Sequence, residues 1–239
     1  MIITGQNIEK FYGKKQVLFG MNFNIDLEQS GVVGLIGPNG SGKSTMMRLI
    51  GGITSATAGC FSLVNSKEKI DFEHWTRYNT FYAPAGERGL RNKLNVIDNL
   101  KYFSALRGER YNQVFSNAQR YANLLNSTSL LHKEYGNLST GQKKKAEIIV
   151  AVSLSTRLLL LDEPSTGLDI NAQVDLMRLI QAISEVRGKN IIISSHDPGL
   201  LAKVVSKYLF IAEGNIVKVV DHRLSEEMLR SQYKLLYGG

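Results

Sequence analysis

Short apolar segments alternate with longer stretches of helical spacing along most of the chain. Residues 2–12 and 16–27 show a broken alternation of apolar and polar positions, which predicts two strands joined by a tight turn. Residues 31–36, 158–161 and 190–195 are dominated by valine, leucine or isoleucine without alternation, as in parallel strands that are buried on both faces. Buried strands separated by helices are typical of an α/β fold.

Apolar residues recur at helical spacing in the longer segments between these strands. The spacing predicts helices over 46–50, 170–187 and about 224–236. Between residue 95 and about residue 126 the spacing stays helical, which predicts a helical insert.

Further strands are predicted at 59–64, at 80–83 and in a hairpin over 207–220. The polar segment between the strands at 59–64 and 80–83 contains Trp75, the only tryptophan, and no helix or strand is predicted there. A chain of 239 residues can form one large α/β domain or two small ones, and this order of elements favours one domain with a helical insert.

Composition and charge limit the cellular compartment and the kinds of partner that we expect for this protein. The formal net charge is +8, and its densest run, Lys143 to Lys145, lacks the interleaved aromatic residues that stack on bases, so we expect a solvated helix face and no nucleic acid partner. The single cysteine, Cys60, permits no internal disulfide. The first residues lack a secretory signal and no stretch approaches ~18 uninterrupted apolar residues, so we expect a cytoplasmic protein that does not itself cross a bilayer.

One segment has the spacing G-x-x-x-x-G-K-[ST], which binds the phosphates of a nucleoside triphosphate. We call residues 37–45 the phosphate loop; they are Gly37, Pro38, Asn39, Gly40, Ser41, Gly42, Lys43, Ser44 and Thr45. Glycines let successive backbone N–H groups turn toward an anion, and a following helix adds its positive N-terminal end. In such a loop the lysine reaches the phosphates and the serine binds Mg²⁺. Because a buried strand precedes the loop and a helix follows it, a chance glycine-rich turn is the weaker interpretation.

Two carboxylates follow the leucine-rich strand, where packing alone would not place them. Asp162 and Glu163 lie on opposite sides of the pleat, so we expect Asp162 to face the Mg²⁺ held by Ser44 and Glu163 to address a water molecule. His196 follows the isoleucine-rich strand at the same edge of the predicted sheet. A lone histidine is more often structural, but this placement favours contact with the terminal phosphate.

Two more positions have both a structural and a functional interpretation. Ser139 and Gln142 form a capping box that begins a helix, or the serine hydroxyl, Gly141 and the helix N-terminus form a second anion site. Tyr12 ends the first strand about two dozen residues before the phosphate loop, where its ring either packs or stacks on a purine base. The sequence pattern alone leaves both alternatives open.

Together, these segments resemble the nucleotide-binding subunits of ABC transporters over essentially the whole chain. The matching motifs are Walker A (37–45), Walker B (158–163), the signature (138–142), the D-loop (165–169), the switch histidine (His196) and the A-loop aromatic (Tyr12). The resemblance implies a P-loop NTPase (RecA-like) α/β core with an antiparallel β subdomain and a helical insert subdomain. It divides the single domain into an ATP-binding core, 1–85 and 155–239, and a helical subdomain with the signature, 86–154.

The resemblance also implies a site that is split between two subunits, which pair head to tail around two ATP molecules. The residues carried over are Lys43 and Ser44 for phosphate and metal, Asp162 for Mg²⁺, Glu163 as general base, His196 for the γ-phosphate in the same subunit, Ser139 and Gly141 for the γ-phosphate of the partner's site, and Asp169 for the nucleotide. A homodimer or heterodimer of such subunits would power separate transmembrane permease subunits at the cytoplasmic face of the cell membrane.

Two positions depart from the family pattern. Thr140 replaces the first of the two glycines usual in the signature, which adds bulk near the second anion site. The segment 82–87 lacks the glutamine that meets the metal and signals to the permease in the family. By the resemblance, either Glu87 takes its place as a metal ligand, as a carboxylate does in some exporter relatives, or the coupling to the permease is altered.

Residues 87–90 and 93–100 resemble the ABC-2 type of exporter, which implies export rather than import. Two other classes remain as alternatives. A soluble ABC ATPase without a transport role would share the same motifs, although this chain lacks a long coiled-coil insert and a second cassette. A different P-loop enzyme, such as a small-molecule kinase, would leave the signature and His196 without a role.

Overall fold

The computed structural model describes residues 1–28, 31–64, 70–86, 89–186 and 188–238. Within these ranges, nine strands form two sheets. The strands are β1 (Ile2–Tyr12), β2 (Lys15–Asp26), β3 (Val32–Ile36), β4 (Ala58–Val64), β5 (Thr80–Ala83), β6 (Leu158–Asp162), β7 (Asn190–Ser194), β8 (Lys207–Ala212) and β9 (Asn215–Val220).

The larger sheet has the strand order β5-β6-β7-β3-β8-β9. Its first five strands are parallel, and β9 pairs antiparallel with β8. The smaller sheet, β2-β1-β4, is antiparallel throughout. Since β6, β7 and β3 are parallel neighbours, their carboxyl ends lie side by side at one edge.

The described part of the chain contains eight α-helices. They are α1 (Lys43–Ile50), α2 (Phe72–Asn79), α3 (Val96–Leu106), α4 (Tyr111–Leu124), α5 (Thr140–Ser153), α6 (Ile170–Ser184), α7 (Pro198–Val204) and α8 (Glu226–Tyr237). Two short 3₁₀ helices, Thr128–His132 and Tyr135–Asn137, lead from α4 to α5.

Two apolar cores lie on opposite faces of the larger sheet. Leu159 and Leu161 of β6 belong to one core with residues of α3 to α7, whereas Leu158 and Leu160 belong to the other core with residues of β1, β2 and α1. Side chains of a strand point alternately to its two faces. A strand covered on both faces is therefore apolar at every position, which explains the unbroken leucine run.

Two short helices, α2 and α7, have no counterpart among the predicted elements. Asp71 caps α2 by accepting a hydrogen bond from the His74 backbone N–H at 2.7 Å, and Trp75 is buried on the inner face of this helix. Asp197 caps α7, which begins at Pro198. Each helix spans only about two turns, so helical spacing alone does not reveal it.

The helical insert begins and ends close to its predicted bounds, with α3 starting at Val96 and α4 ending at Leu124. The segment 86–154 contains α3, α4, α5 and the two 3₁₀ helices. We propose that this segment is a helical subdomain, separate from an ATP-binding core of 1–85 and 155–239. In the described residues, none of the helices combines the length and apolar character needed to cross a membrane.

Candidate nucleotide site

Three segments singled out by the sequence meet at the carboxyl edge of the larger sheet. The phosphate loop follows β3, Asp162 ends β6, and His196 lies just beyond β7. In the register of β6 and β7, Asp162 stands opposite Ser194. Ligands of open α/β sheets bind at this edge, so the strand order alone makes it the candidate site.

Glycines give the phosphate loop its shape. Gly40 and Gly42 have φ angles of 81° and 107°, in the left-handed region that side chains rarely adopt. At Gly37 an added Cβ would lie 2.2 Å from the carbonyl oxygen of Ile211, so any side chain would collide with β8. The loop thereby turns tightly into the N-terminus of α1, whose unpaired N–H groups favour an anion.

Lys43 folds back over the phosphate loop. Its Nζ donates hydrogen bonds to the carbonyl oxygens of Gly37 at 2.7 Å and Pro38 at 3.0 Å. Burial lowers the pKa of the Lys43 amine, while the carboxylates of Glu163 and Asp162 act in the opposite direction. A phosphate group in the loop would give this buried amine a full negative partner in place of neutral carbonyls.

Ser41 is buried inside the loop, and its hydroxyl has no hydrogen-bond partner among the residues that the structure describes. Buried polar groups are nearly always paired, because an unpaired one loses its hydration without compensation. A hydroxyl held in this way beside Lys43 is available to donate to a bound oxygen. The loop residues therefore fit the phosphates of a nucleotide.

Asp162 is only 2% exposed, and described side chains donate to both of its carboxylate oxygens. Ser194 and Ser44 donate from their hydroxyls to Oδ1 at 2.6 Å and 3.1 Å. Tyr82 donates to Oδ2 at 2.9 Å. Mg²⁺ prefers hydroxyl and carboxylate oxygens of this kind, so Ser44 and Asp162 fit the predicted metal site.

Tyr82, on β5, is a part of the site that the sequence motifs do not reveal. Arg48 of α1 donates from Nε to the Tyr82 hydroxyl at 3.3 Å. Burial raises the pKa of Tyr82 to about 12, with the hydrogen bond from Arg48 opposing the shift and the Asp162 carboxylate adding to it. The phenol therefore keeps its proton at neutral pH and acts as the donor to Asp162.

Glu163 leaves the strand with a left-handed backbone, at φ 46°, which is unusual for a residue with a side chain. Its N–H donates to the carbonyl oxygen of Ser194 at 3.1 Å and to the Ser194 hydroxyl at 3.0 Å. Its Oε2 accepts a hydrogen bond from the His196 backbone N–H at 3.3 Å. Its Oε1 is buried, lies 3.3 Å from His196 Nε2, and has no well-directed hydrogen bond from any described residue.

His196 contacts both Glu163 and the phosphate loop. Its Nε2 lies 2.9 Å from Asn39 Oδ1 in the phosphate loop, in addition to its approach to Glu163. The side chain is 39% exposed, so the ring stands at the open mouth of the edge rather than in the core. This position is compatible with the predicted contact to a terminal phosphate.

Within the described residues, the contacts of Ser139, Gly141 and Asp169 are with α5 and α6 rather than with the phosphate loop. Ser139 forms the predicted capping box with Gln142 at the start of α5. Gly141 packs so tightly against α6 that an added Cβ would lie 2.8 Å from the Cβ of Ala172. Asp169 caps α6 by accepting from the Ala172 N–H at 2.8 Å.

Tyr12 is 44% exposed at the end of β1, with the Lys10 amine 5.2 Å from the centroid of its ring. An exposed ring is available for stacking, and the stacking of Tyr12 on a purine base stays a prediction. Glu87, the predicted substitute for the missing glutamine, lies outside the described residues.

Comparisons with known proteins give a consistent result. The profile of the family described as ABC transporter matches residues 21–166. The chain is 31% identical over 230 residues to the lantibiotic transport ATP-binding protein SrtF of Streptococcus pyogenes, covering 93% of this chain and 92% of that protein. It is 29% identical over 238 residues to the methionine import ATP-binding protein MetN of Clostridioides difficile, covering 92% and 68%.

A longer relative and two solved structures extend this similarity. Identity to the ATP-binding cassette sub-family A member 6 of Mus musculus is 31% over 176 residues, which is 74% of this chain but only 11% of that protein. The structure of an ATP-binding subunit of an ABC transporter superposes with a TM-score of 0.80 at 21% identity, covering 98% of this chain and all of the other. A dimeric bacterial ABC transporter cassette superposes with a TM-score of 0.75 at 23% identity, covering 92% and 98%. The predicted P-loop NTPase fold with an antiparallel β subdomain is thus confirmed.

Proposed function

The chain belongs to the ABC transporter family and is an ABC ATPase domain, and from this membership we propose that it powers export through separate membrane permease subunits. The observation that carries the catalytic part is the contact network at the sheet edge. Ser44 bonds to Asp162, and His196 contacts both Glu163 and the phosphate loop. Residues at the carboxyl ends of three neighbouring strands are therefore prearranged around one point.

Each residue of this network suits a defined part of ATP hydrolysis. Lys43 would balance the phosphate charge, and Ser44 and Asp162 would hold Mg²⁺, which when bound neutralises charge on the transferred phosphoryl group. Glu163 Oε1, buried and without a well-directed donor, suits the acceptance of a proton from the attacking water. His196 would keep that carboxylate oriented toward the phosphate loop.

We propose further that a second copy, or a similar subunit, completes the site. Ser139 is exposed at the N-terminus of α5, and its contacts lie within its own helix, so it is available to another subunit. Gly141 and Asp169 lie beside it through their contacts with Ala172. The dimeric state of a cassette with this fold supports this arrangement.

We propose that a groove on the surface receives the membrane permease. A groove of about 380 Å³ lies between the ATP-binding part and the helical insert, lined by residues that include Ile53, Arg77 and Phe103. Ile53 is 62% exposed there, which suits burial by a partner. The resemblance of residues 87–90 and 93–100 to ABC-2 exporters supports export. Purification of the protein from the soluble fraction without a membrane protein would instead favour the soluble ABC ATPase.

Glu163→Gln tests the catalytic proposal. The amide cannot accept a proton, so we expect ATP binding to persist while turnover falls by about a hundredfold or more. Trapped ATP should hold two subunits together, which size-exclusion chromatography with ATP and Mg²⁺ will detect as a dimer.

Glu213→Gln is the matched control. Glu213 also has a positive φ, of 47°, but its side chain is exposed on the turn between β8 and β9, so normal turnover is expected. Unchanged hydrolysis in Glu163→Gln would exclude Glu163 as the general base.

A further inference from the structure

Asp162 is held from two sides, and of its three side-chain donors only Ser44 belongs to the motifs. Ser44 and Ser194 donate to Oδ1, while the Tyr82 hydroxyl donates to Oδ2 at 2.9 Å. In the parallel register of β5 and β6, Tyr82 stands opposite Leu160, two positions before Asp162. Because residues two apart on a strand share a face, the long tyrosine side chain reaches the carboxylate from the neighbouring strand.

Arg48 fixes the direction of this hydrogen bond. A guanidinium can only donate, and Arg48 Nε donates to the Tyr82 hydroxyl at 3.3 Å. With its oxygen occupied as an acceptor, the hydroxyl turns its single proton to Asp162. The result is an ordered relay from Arg48, on the helix that follows the phosphate loop, through Tyr82 to the buried carboxylate.

We propose that Tyr82, oriented by Arg48, is a positioning residue for the Mg²⁺ site. This inference rests on the proposed function, in which Ser44 and Asp162 hold the metal. A carboxylate rotates readily about its terminal torsion, and donors on both oxygens restrict that rotation. Metal-binding carboxylates depend on such outer partners, whose loss weakens metal affinity about tenfold to a hundredfold.

Tyr82→Phe removes the hydroxyl and keeps the ring. The full-length variant is titrated with ATP in a calorimeter, once with Mg²⁺ and once with EDTA. We expect ATP affinity in EDTA to stay within about twofold of the wild type. The ratio of ATP affinity with Mg²⁺ to ATP affinity in EDTA should fall by about tenfold. Arg48→Met should change the Mg²⁺ contribution in the same direction by about threefold, because Tyr82 stays in place.

Tyr78→Phe is the matched control, since Tyr78 lies exposed on α2 and its change should leave both titrations unaltered. An equal loss of affinity with and without Mg²⁺ in Tyr82→Phe would show general support of the loop and overturn the inference. An unchanged Mg²⁺ contribution would overturn it as well. Failure of the wild type to bind ATP with Mg²⁺ would instead overturn the proposed function, and this inference with it.

Discussion

Asp162 and Glu163 are adjacent in sequence, yet their carboxylates serve different neighbours because the backbone changes conformation between them. Asp162 is the last residue of β6, whereas Glu163 has a φ of 46°. Such a conformation costs about 1 kcal/mol for a residue with a side chain, and the two hydrogen bonds from Glu163 N–H to Ser194 stabilise it. The turn sends one carboxylate toward Ser44 and the other toward His196.

Ser41→Ala tests the unpaired hydroxyl of the phosphate loop. Without nucleotide, we expect the free energy of unfolding to stay constant or rise by up to about 1 kcal/mol, because the change removes a buried polar group that has no described partner. ATP affinity should fall about fivefold, since one donor to phosphate is lost. Urea denaturation and calorimetric titration measure the two effects, and a marked loss of stability in the absence of nucleotide would contradict this explanation.

Residue spacing was sufficient to predict that the loop, Asp162 and His196 meet, because each follows a buried parallel strand and such strands share an edge. Tyr82 and Arg48 could not be predicted in this way. Their contact depends on the register of β5 with β6 and on the direction of the last turn of α1, neither of which a local pattern specifies. The catalytic and binding roles of all these residues stay predictions.

Among the secondary-structure elements, α5 contains a buried ion pair whose lysine also bonds to the connection after β5. Lys144 Nζ lies 2.7 Å from Glu147 Oε2 and donates to the carbonyl oxygen of Pro84 at 3.1 Å. Burial raises the pKa of Glu147, and Lys144 opposes that shift. Gly89 lies directly against the same carboxylate, since an added Cβ would be 1.6 Å from Oε1. The helix that begins with the signature is therefore joined to the segment that leaves the nucleotide edge.

Lys144→Met should destabilise the protein by about 3 kcal/mol in urea denaturation, because Glu147 would remain buried without its partner. The double variant Lys144→Met with Glu147→Met should recover most of that loss, since no unpaired charge remains. Lys101→Met is the control, as its pair with Asp98 has the same spacing but is exposed and should contribute less than about 1 kcal/mol. A double variant as unstable as the sum of the single changes would contradict the ion-pair explanation.

Whether a helix could be predicted from the sequence depended on its length. Long helices such as α6 were evident from their apolar spacing, whereas α2 and α7 hold their shape through a capping aspartate and a few buried positions. A short helix of this kind depends on the surface that it covers, which is a tertiary property.

In the molecule as a whole, the two apolar cores pack against opposite faces of the larger sheet. Unfolding of either core would therefore expose one face of the strands of that sheet. Lys189 lies at the end of this sheet opposite the nucleotide edge and just before β7. Its Nζ donates to the carbonyl oxygen of Leu154 at 2.7 Å and to the Thr156 hydroxyl at 3.4 Å. Burial lowers the pKa of Lys189 to about 8 from the ordinary 10.5.

This lowered pKa predicts a pH dependence of global stability. Between about pH 8 and pH 10.5 the unfolded chain binds more protons at Lys189 than the folded chain, so stability rises with pH in that window. Relative to Lys189→Met, the free energy of unfolding of the wild type should increase by about 2 kcal/mol from pH 7.5 to pH 10. Lys203→Met, at an exposed lysine, is the control, and parallel curves for the wild type and Lys189→Met would disprove the link.

The position of Trp75 has a practical consequence. This one indole is 4% exposed and belongs to the core that also contains Met46, Met47 and Leu160. Its emission spectrum therefore reports on the apolar core that also contains residues of α1, the helix that follows the phosphate loop. Unfolding, and any repacking of that helix when ligand arrives, can be followed by intrinsic fluorescence without attaching a dye.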